Sequence, residues 1–140
     1  MQVNFRIPRQ FIINHGLHIF DIQSSGRYIG GYQNGDQVLM AVADTFRTGL
    51  RLYDFPSRYG GEEFVLSLPE TPHEDALMVA ERLREKVESL LFTGDLLGLK
   101  TTVSIGVSTY PDCSVNSVDD LIKKADKALY RAKAAGRNKL

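Results

Sequence analysis

The chain has 140 residues, 43% apolar and 24% charged, which fits one ordered domain with a sizeable core. Lys and Arg balance Asp and Glu at 17 each, so the basic excess of a general nucleic-acid or membrane-surface binder is lacking. One cysteine, Cys113, excludes an intramolecular disulfide and a cysteine metal cluster, no apolar run reaches the length of a membrane span, and the N-terminus does not read as a signal peptide. A reducing, cytoplasmic setting is the expectation.

In chain order, the first expected element is a buried strand at residues 17–22 (LHIFDI), ending in an acid. A polar, glycine-rich loop follows at 23–35. From Asp36, Val38, Leu39, Val42, Phe46 and Leu50 fall at the spacing of an amphipathic helix. Residues 55–59 and 63–68 read as a hairpin with Gly60 and Gly61 at its turn, and Phe64, Leu66 and Leu68 alternate inward. Thr71-Pro72-His73-Glu74 reads as a capping box that opens a helix carrying Ala76, Ala80, Leu83, Val87 and Leu90. A strand is expected at 101–107, with Val103, Ile105 and Val107 on one side. Ser117 starts a last helix, Leu121, Ala125, Leu129 and Ala132 line it, and Gly136 suits its C-terminal cap. No repeat or linker interrupts, so the order strand, helix, hairpin, helix, strand, helix describes a single α/β sandwich over 1–140, a sheet flanked by helices.

The hairpin turn is where chemistry is expected. Glu62 and Glu63 follow the glycine pair, and Asp21 ends the first strand. If that strand lies beside the hairpin, the acids converge at one edge of the sheet. Oxygen ligands without His or Cys suit a hard cation, Mg²⁺ above all, and Mg²⁺ so held completes its shell with substrate phosphates. Phosphoryl or nucleotidyl transfer is the chemistry that follows. On charge pattern alone, a solvated acidic turn is the open alternative.

RYGGEEF (58–64) resembles the signature of GGDEF domains, the bacterial diguanylate cyclases, in its GGEEF form. FDI (20–22), GDQVL (35–39), TTVSIGVS (101–108) and ADKALYRAKAAGRN (125–138) follow the same family in order and approximate spacing, over residues 17–140. The resemblance implies a fold similar to the palm of nucleotide cyclases and polymerases, with a central antiparallel or mixed sheet. It implies condensation of two GTP into cyclic di-GMP and two pyrophosphates, with one GTP on each domain of an antiparallel homodimer. Asp21 and Glu62 would hold magnesium (or manganese) with the backbone carbonyl of Ile22. Glu62 would also assist deprotonation of the 3′-hydroxyl, and Glu63 would support the metal and phosphate site. Gly60 and Gly61 would let backbone approach the nucleotide. Lys133 and Arg137, expected on one face at the end of the last helix, match the triphosphate-binding pair, and Asp36 matches the acid that hydrogen-bonds guanine. RLYD (51–54) matches the family's RxxD inhibitory site for cyclic di-GMP, with Arg51 and Asp54 as its core and Arg58 joining it.

The chain departs from the family pattern at two places. After Asp21 the family reads roughly DxDxFKxxNDxxGHxxGD, whereas this chain reads DIQSSGRYIGGYQNGD. That stretch is about two residues shorter, Gln23 stands where a second acid is usual, and no asparagine falls at the guanine-contact position. Residues 1–16 form an atypical N-terminal segment in place of the usual helix. A catalytically degenerate domain that binds cyclic di-GMP or GTP is therefore the alternative to an active cyclase.

Overall fold

Alternating apolar residues and a glycine-marked hairpin turn shape the sheet, and helices with apolar stripes cover it. The structure is a computed structural model that describes residues 15–25, 32–111 and 115–140. Segment 1–14, the stretch 26–31 and Cys113 lie outside the described residues. The elements are β1 (His15–Ser25), α1 (Tyr32–Gly49), β2 (Phe55–Gly60), β3 (Glu63–Pro69), α2 (His73–Glu88), a 3₁₀ turn (Gly94–Leu96), β4 (Lys100–Ser108) and α3 (Val118–Ala134). The strands form one sheet in the order β2-β3-β1-β4, with every neighbouring pair antiparallel. The expected architecture and element order are those observed.

Both faces of the sheet are covered. On one face Phe64 and Leu66 of β3 and Val103 and Ile105 of β4 pack against Val42 and Phe46 of α1 and Ala80, Leu83 and Val87 of α2. Phe46 and Phe64 meet edge to face, with ring centroids 5.4 Å apart. On the other face Val65 packs with Leu121, Ala125 and Leu129 of α3. The strand alternation of β3 pointed to one buried face. Burial instead runs unbroken from Phe64 to Leu68, because α3 roofs the side that would otherwise face water. Gly106 sets how closely that roof sits: a Cβ there would lie 2.0 Å from the Ala125 carbonyl oxygen.

Three local expectations change. β1 continues through residues 23–25, expected in the loop, because the start of β4 offers ladder partners: Gln23 pairs with Thr102, Ser24 with Thr101 and Ser25 with Lys100. α1 begins at Tyr32, not Asp36. A single interior glycine costs about 1 kcal/mol in a helix, less than the burial of Val38, Val42 and Phe46 supplies. The capping box at Thr71 does not form. Pro72 occupies the N-cap without a side-chain bond, because the Thr71 hydroxyl donates to the Pro69 carbonyl at 2.9 Å and accepts from Arg51. At α3 the expectation holds: the Ser117 hydroxyl accepts from the Asp120 N–H at 3.1 Å.

Candidate active site

Strand register brings the acids together. Asp21 of β1 is the Cα partner of Glu63 in β3 on one side and of Ser104 in β4 on the other. Only the backbone of Asp21 and Ile22 falls within the description. Glu62 is one step from that row, in the two-residue loop of the β2–β3 hairpin, which closes on the pair Gly60 and Glu63. Gly61 carries a φ of +47°, a conformation that side chains with a Cβ rarely adopt. Arg58 secures the turn by donating from Nε to the Gly61 carbonyl at 2.9 Å. A Cβ added at Gly60 or Gly61 would meet nothing within 4 Å, so no neighbouring atom requires either glycine, and only the positive φ of Gly61 calls for one. The space above them is open to an approaching molecule.

Glu62 is exposed and Glu63 half-buried. Among the described residues no hydrogen bond or ion pair engages either carboxylate. No group of three His, Cys, Asp or Glu suited to a metal gathers among the described residues, and the side chain of Asp21 stands outside that set. The backbone register sets Asp21 opposite Glu63 and one step from Glu62, three residues whose side chains carry only oxygen donors, the chemistry that suits a hard divalent cation.

The other expected substrate residues are placed as follows. Asp36 is exposed on α1, beyond the first turn, which holds no acid. Lys133 lies in the last turn of α3, but Arg137 lies past the helix. The two do not share a helix face, because the chain turns between them. The Gly136 N–H donates to Lys133 O at 3.3 Å and the Arg137 N–H to Ala132 O at 3.0 Å, the paired bonds of a Schellman cap. Gly136 has a φ of +112° and Arg137 of +62°.

Arg51 and Asp54 form a closed cluster at the opposite end of β2. The Arg51 N–H donates to Asp54 Oδ2 at 2.8 Å and its Nε to the same oxygen at 3.3 Å. Nη1 reaches the Tyr53 hydroxyl at 3.3 Å, and the guanidinium carbon lies 5.0 Å from the Tyr53 ring centroid. Nη2 donates to the Thr71 hydroxyl. The Asp54 side chain is 2% exposed and that of Arg51 44%. Burial disfavours the charge on Arg51, but Asp54 more than offsets this and its pKa ends above the usual arginine value. Arg58 does not join this pair. It stands four residues after Asp54, about 13 Å away at strand rise, with its guanidinium on the Gly60-Gly61 turn.

The sequence reading missed Ser104, Asn138 and Arg84. The Asn138 N–H donates to Ser104 Oγ at 3.1 Å. The Asn138 amide accepts from Arg84 Nη1 at 2.9 Å and donates to Glu88 Oε1 at 2.8 Å. Hydrogen bonds with Arg84 first, and with Asn138, hold the Glu88 carboxyl below its ordinary range, and the bond with Glu81 above all raises Arg84. A polar residue after Gly136-Arg137 was visible, but partners 50 and 54 positions away carry no local signal.

The profile of the family described as "Diguanylate cyclase, GGDEF domain" matches residues 29–139. Diguanylate cyclase DgcM of Escherichia coli (strain K12) is 44% identical over 110 residues, covering 79% of this chain and 26% of that protein. This chain thus spans about a quarter of the length of the curated relatives it matches. Diguanylate cyclase SiaD from Pseudomonas aeruginosa, solved in complex with its activator SiaC, superposes with a TM-score of 0.77 at 34% identity, covering 89% of this chain and 48% of that one. The GGDEF domain of DgcB from Caulobacter crescentus, solved in complex with c-di-GMP, gives a TM-score of 0.72 at 25% identity, covering 94% of this chain and 78% of that one.

Proposed function

The chain belongs to the GGDEF domain family of diguanylate cyclases, and on that premise we propose that it condenses two GTP into cyclic di-GMP and two pyrophosphates across a homodimer. The observation that carries this reading is the register of Asp21 against Glu63, one residue from Glu62 in an open glycine turn. Asp21 and Glu62, with the Ile22 carbonyl, would hold Mg²⁺, or Mn²⁺ in its place. When bound, the metal neutralises phosphate charge at the reacting centre.

Each protomer binds one GTP. Lys133 and Arg137 bind its triphosphate, Asp36 accepts from guanine, and Gly60 and Gly61 let the nucleotide lie against backbone. Glu63 supports the phosphate side of the site. The 3′-hydroxyl held on one protomer attacks the α-phosphorus held on the other. Glu62 takes up the hydroxyl proton, a new ester bond forms, and pyrophosphate leaves with the electron pair of the broken bond. The second ester closes the ring in the same way. Docking two protomers antiparallel makes the reaction effectively unimolecular. GTP as substrate also supports a cytoplasmic setting, and among the described residues no helix is long and apolar enough to cross a membrane.

The test is direct. Purified protein at high concentration, with GTP and Mg²⁺, is expected to yield cyclic di-GMP by mass spectrometry, and Glu62→Ala is expected to yield none. Equal product from both would reject the assignment. A second reading draws support from the formed Arg51–Asp54 cluster beside a loop after β1 that lacks the guanine-contact asparagine. It is a domain without turnover that binds cyclic di-GMP through Arg51. No product from the wild type, together with cyclic di-GMP binding lost in Arg51→Ala, would establish it.

A further inference from the structure

The chain after α3 is held in a backbone conformation it would not choose alone. Gly136, Arg137 and Asn138 have φ values of +112°, +62° and +49°. Two of these three successive left-handed residues carry side chains, so outside contacts must maintain the path. The contacts are specific. Asn138 binds Arg84 and Glu88 of α2 through its amide and Ser104 through its N–H. The Ile105 N–H donates to the Lys139 carbonyl at 2.9 Å, and Leu140 packs on the core shared by α1 and α2. Arg84, 12% exposed, is itself fixed by Glu81 at 2.6 Å and Glu88 at 2.7 Å.

The location gives the clamp its meaning. Glu63, Asp21 and Ser104 are successive partners in one row across β3, β1 and β4. Asn138 continues that row beyond the sheet edge through Ser104. Two inter-strand spacings, about 10 Å, therefore separate the Asp21 backbone from the tail that carries Arg137. We infer that Arg84, Glu88 and Asn138 are positioning residues for Arg137: their bonds hold the left-handed tail in the row of the metal acids, so that the Arg137 guanidinium meets the β- and γ-phosphates. The inference rests on the phosphate-binding role proposed above for Arg137.

The test separates positioning from mere folding. The probe is the GTP analogue with a methylene bridge between the α- and β-phosphorus atoms, which cannot release pyrophosphate, and GMP is the comparison ligand. Asn138→Gly deletes the amide yet keeps the residue best suited to positive φ. It is expected to weaken the analogue about tenfold and GMP less than about twofold, as loss of one charge-assisted contact would. Arg137→Ala is expected to do the same, and the double variant to be no more than about twofold weaker than Arg137→Ala alone. Glu88→Gln, which removes one of two acceptors without touching the backbone, should shift the analogue in the same direction, and it carries the test if Asn138→Gly does not fold. Equal weakening of GMP, or independent effects that multiply in the double variant, would overturn the inference. If Arg137→Ala weakens the analogue but neither clamp variant does, the inference falls alone. If Arg137→Ala has no effect, the phosphate role of Arg137 falls and the inference with it.

Discussion

β2 is bounded by two tight turns that treat charge in opposite ways. At its start, Arg51 and Asp54 bind one another, and Arg51 reaches on to Thr71 and Tyr53. At its end, Glu62 is exposed, and no bond from the described residues engages its carboxylate. The first turn is a joint of the fold, because the buried Asp54 carboxylate accepts from both the Arg51 guanidinium and the Arg51 N–H. The second is open, because no bond from the described residues engages its carboxylates, which leaves them available for the metal role proposed above. Two turns six residues of strand apart should therefore respond to mutation in different observables.

The largest effect is expected at the open turn. Glu62→Ala should lower cyclic di-GMP formation more than about 100-fold, the scale of several kcal/mol of transition-state stabilisation. Its stability, read by thermal unfolding, should stay within the change of a surface substitution, about 0.5 kcal/mol or less. A marked loss of stability in Glu62→Ala would erase the contrast between the turns. Next in size is the closed turn. Arg51→Ala leaves the Asp54 carboxylate without its cation, and should cost about 1–3 kcal/mol, below the range for fully buried pairs because Arg51 is partly exposed. Thermal unfolding should show a fall of several degrees, and titration a loss of cyclic di-GMP affinity. Adding Asp54→Asn should restore part of the stability, since removing both charges is milder than stranding one.

What the sequence disclosed follows the same division. Element order, the glycine turn and the pairing of Asp21 with the hairpin acids were legible, because apolar period and turn residues are local signals. The Thr71 capping box was misread for a non-local reason. Its hydroxyl is engaged by Arg51, 20 residues upstream, and no local pattern reports that competition. The resemblance places Arg58 with Arg51 and Asp54, but its guanidinium bonds the Gly61 carbonyl at the other turn. Lys133 and Arg137 were assigned one helix face by their spacing of four. The left-handed stop at Gly136, legible as a cap, was not followed through to what it does to the residue after it. Gly106 read as one more strand position, though its missing side chain admits α3.

Thr71→Val sharpens the comparison from within the closed turn. It keeps the shape of the side chain and removes the hydroxyl that Arg51 and the Pro69 carbonyl share. A loss of about 1 kcal/mol is expected, one net hydrogen bond with some rearrangement, read as a shift of a few degrees in melting temperature. Combined with Arg51→Ala, it should add less than its separate effect, because half of what it removes is already gone. Full additivity would mean that Thr71 is held by Pro69 alone and that the joint ends at Asp54.

The smallest effect on stability is expected from Arg58→Ala, and it tests whether the open turn is as free of the fold as its exposure indicates. Arg58 is exposed and donates one bond, to the Gly61 carbonyl, so its loss should change stability by about 0.5 kcal/mol or less. The turn would keep its hairpin register through the Gly60 and Glu63 pair but would lose the contact that fixes the Gly61 peptide. Turnover should then fall several-fold, about 1 kcal/mol in the barrier, while cyclic di-GMP affinity at Arg51 stays unchanged. Unchanged affinity with reduced turnover would keep the two turns separate. Equal loss of both would return Arg58 to the Arg51–Asp54 cluster and make β2 a single unit.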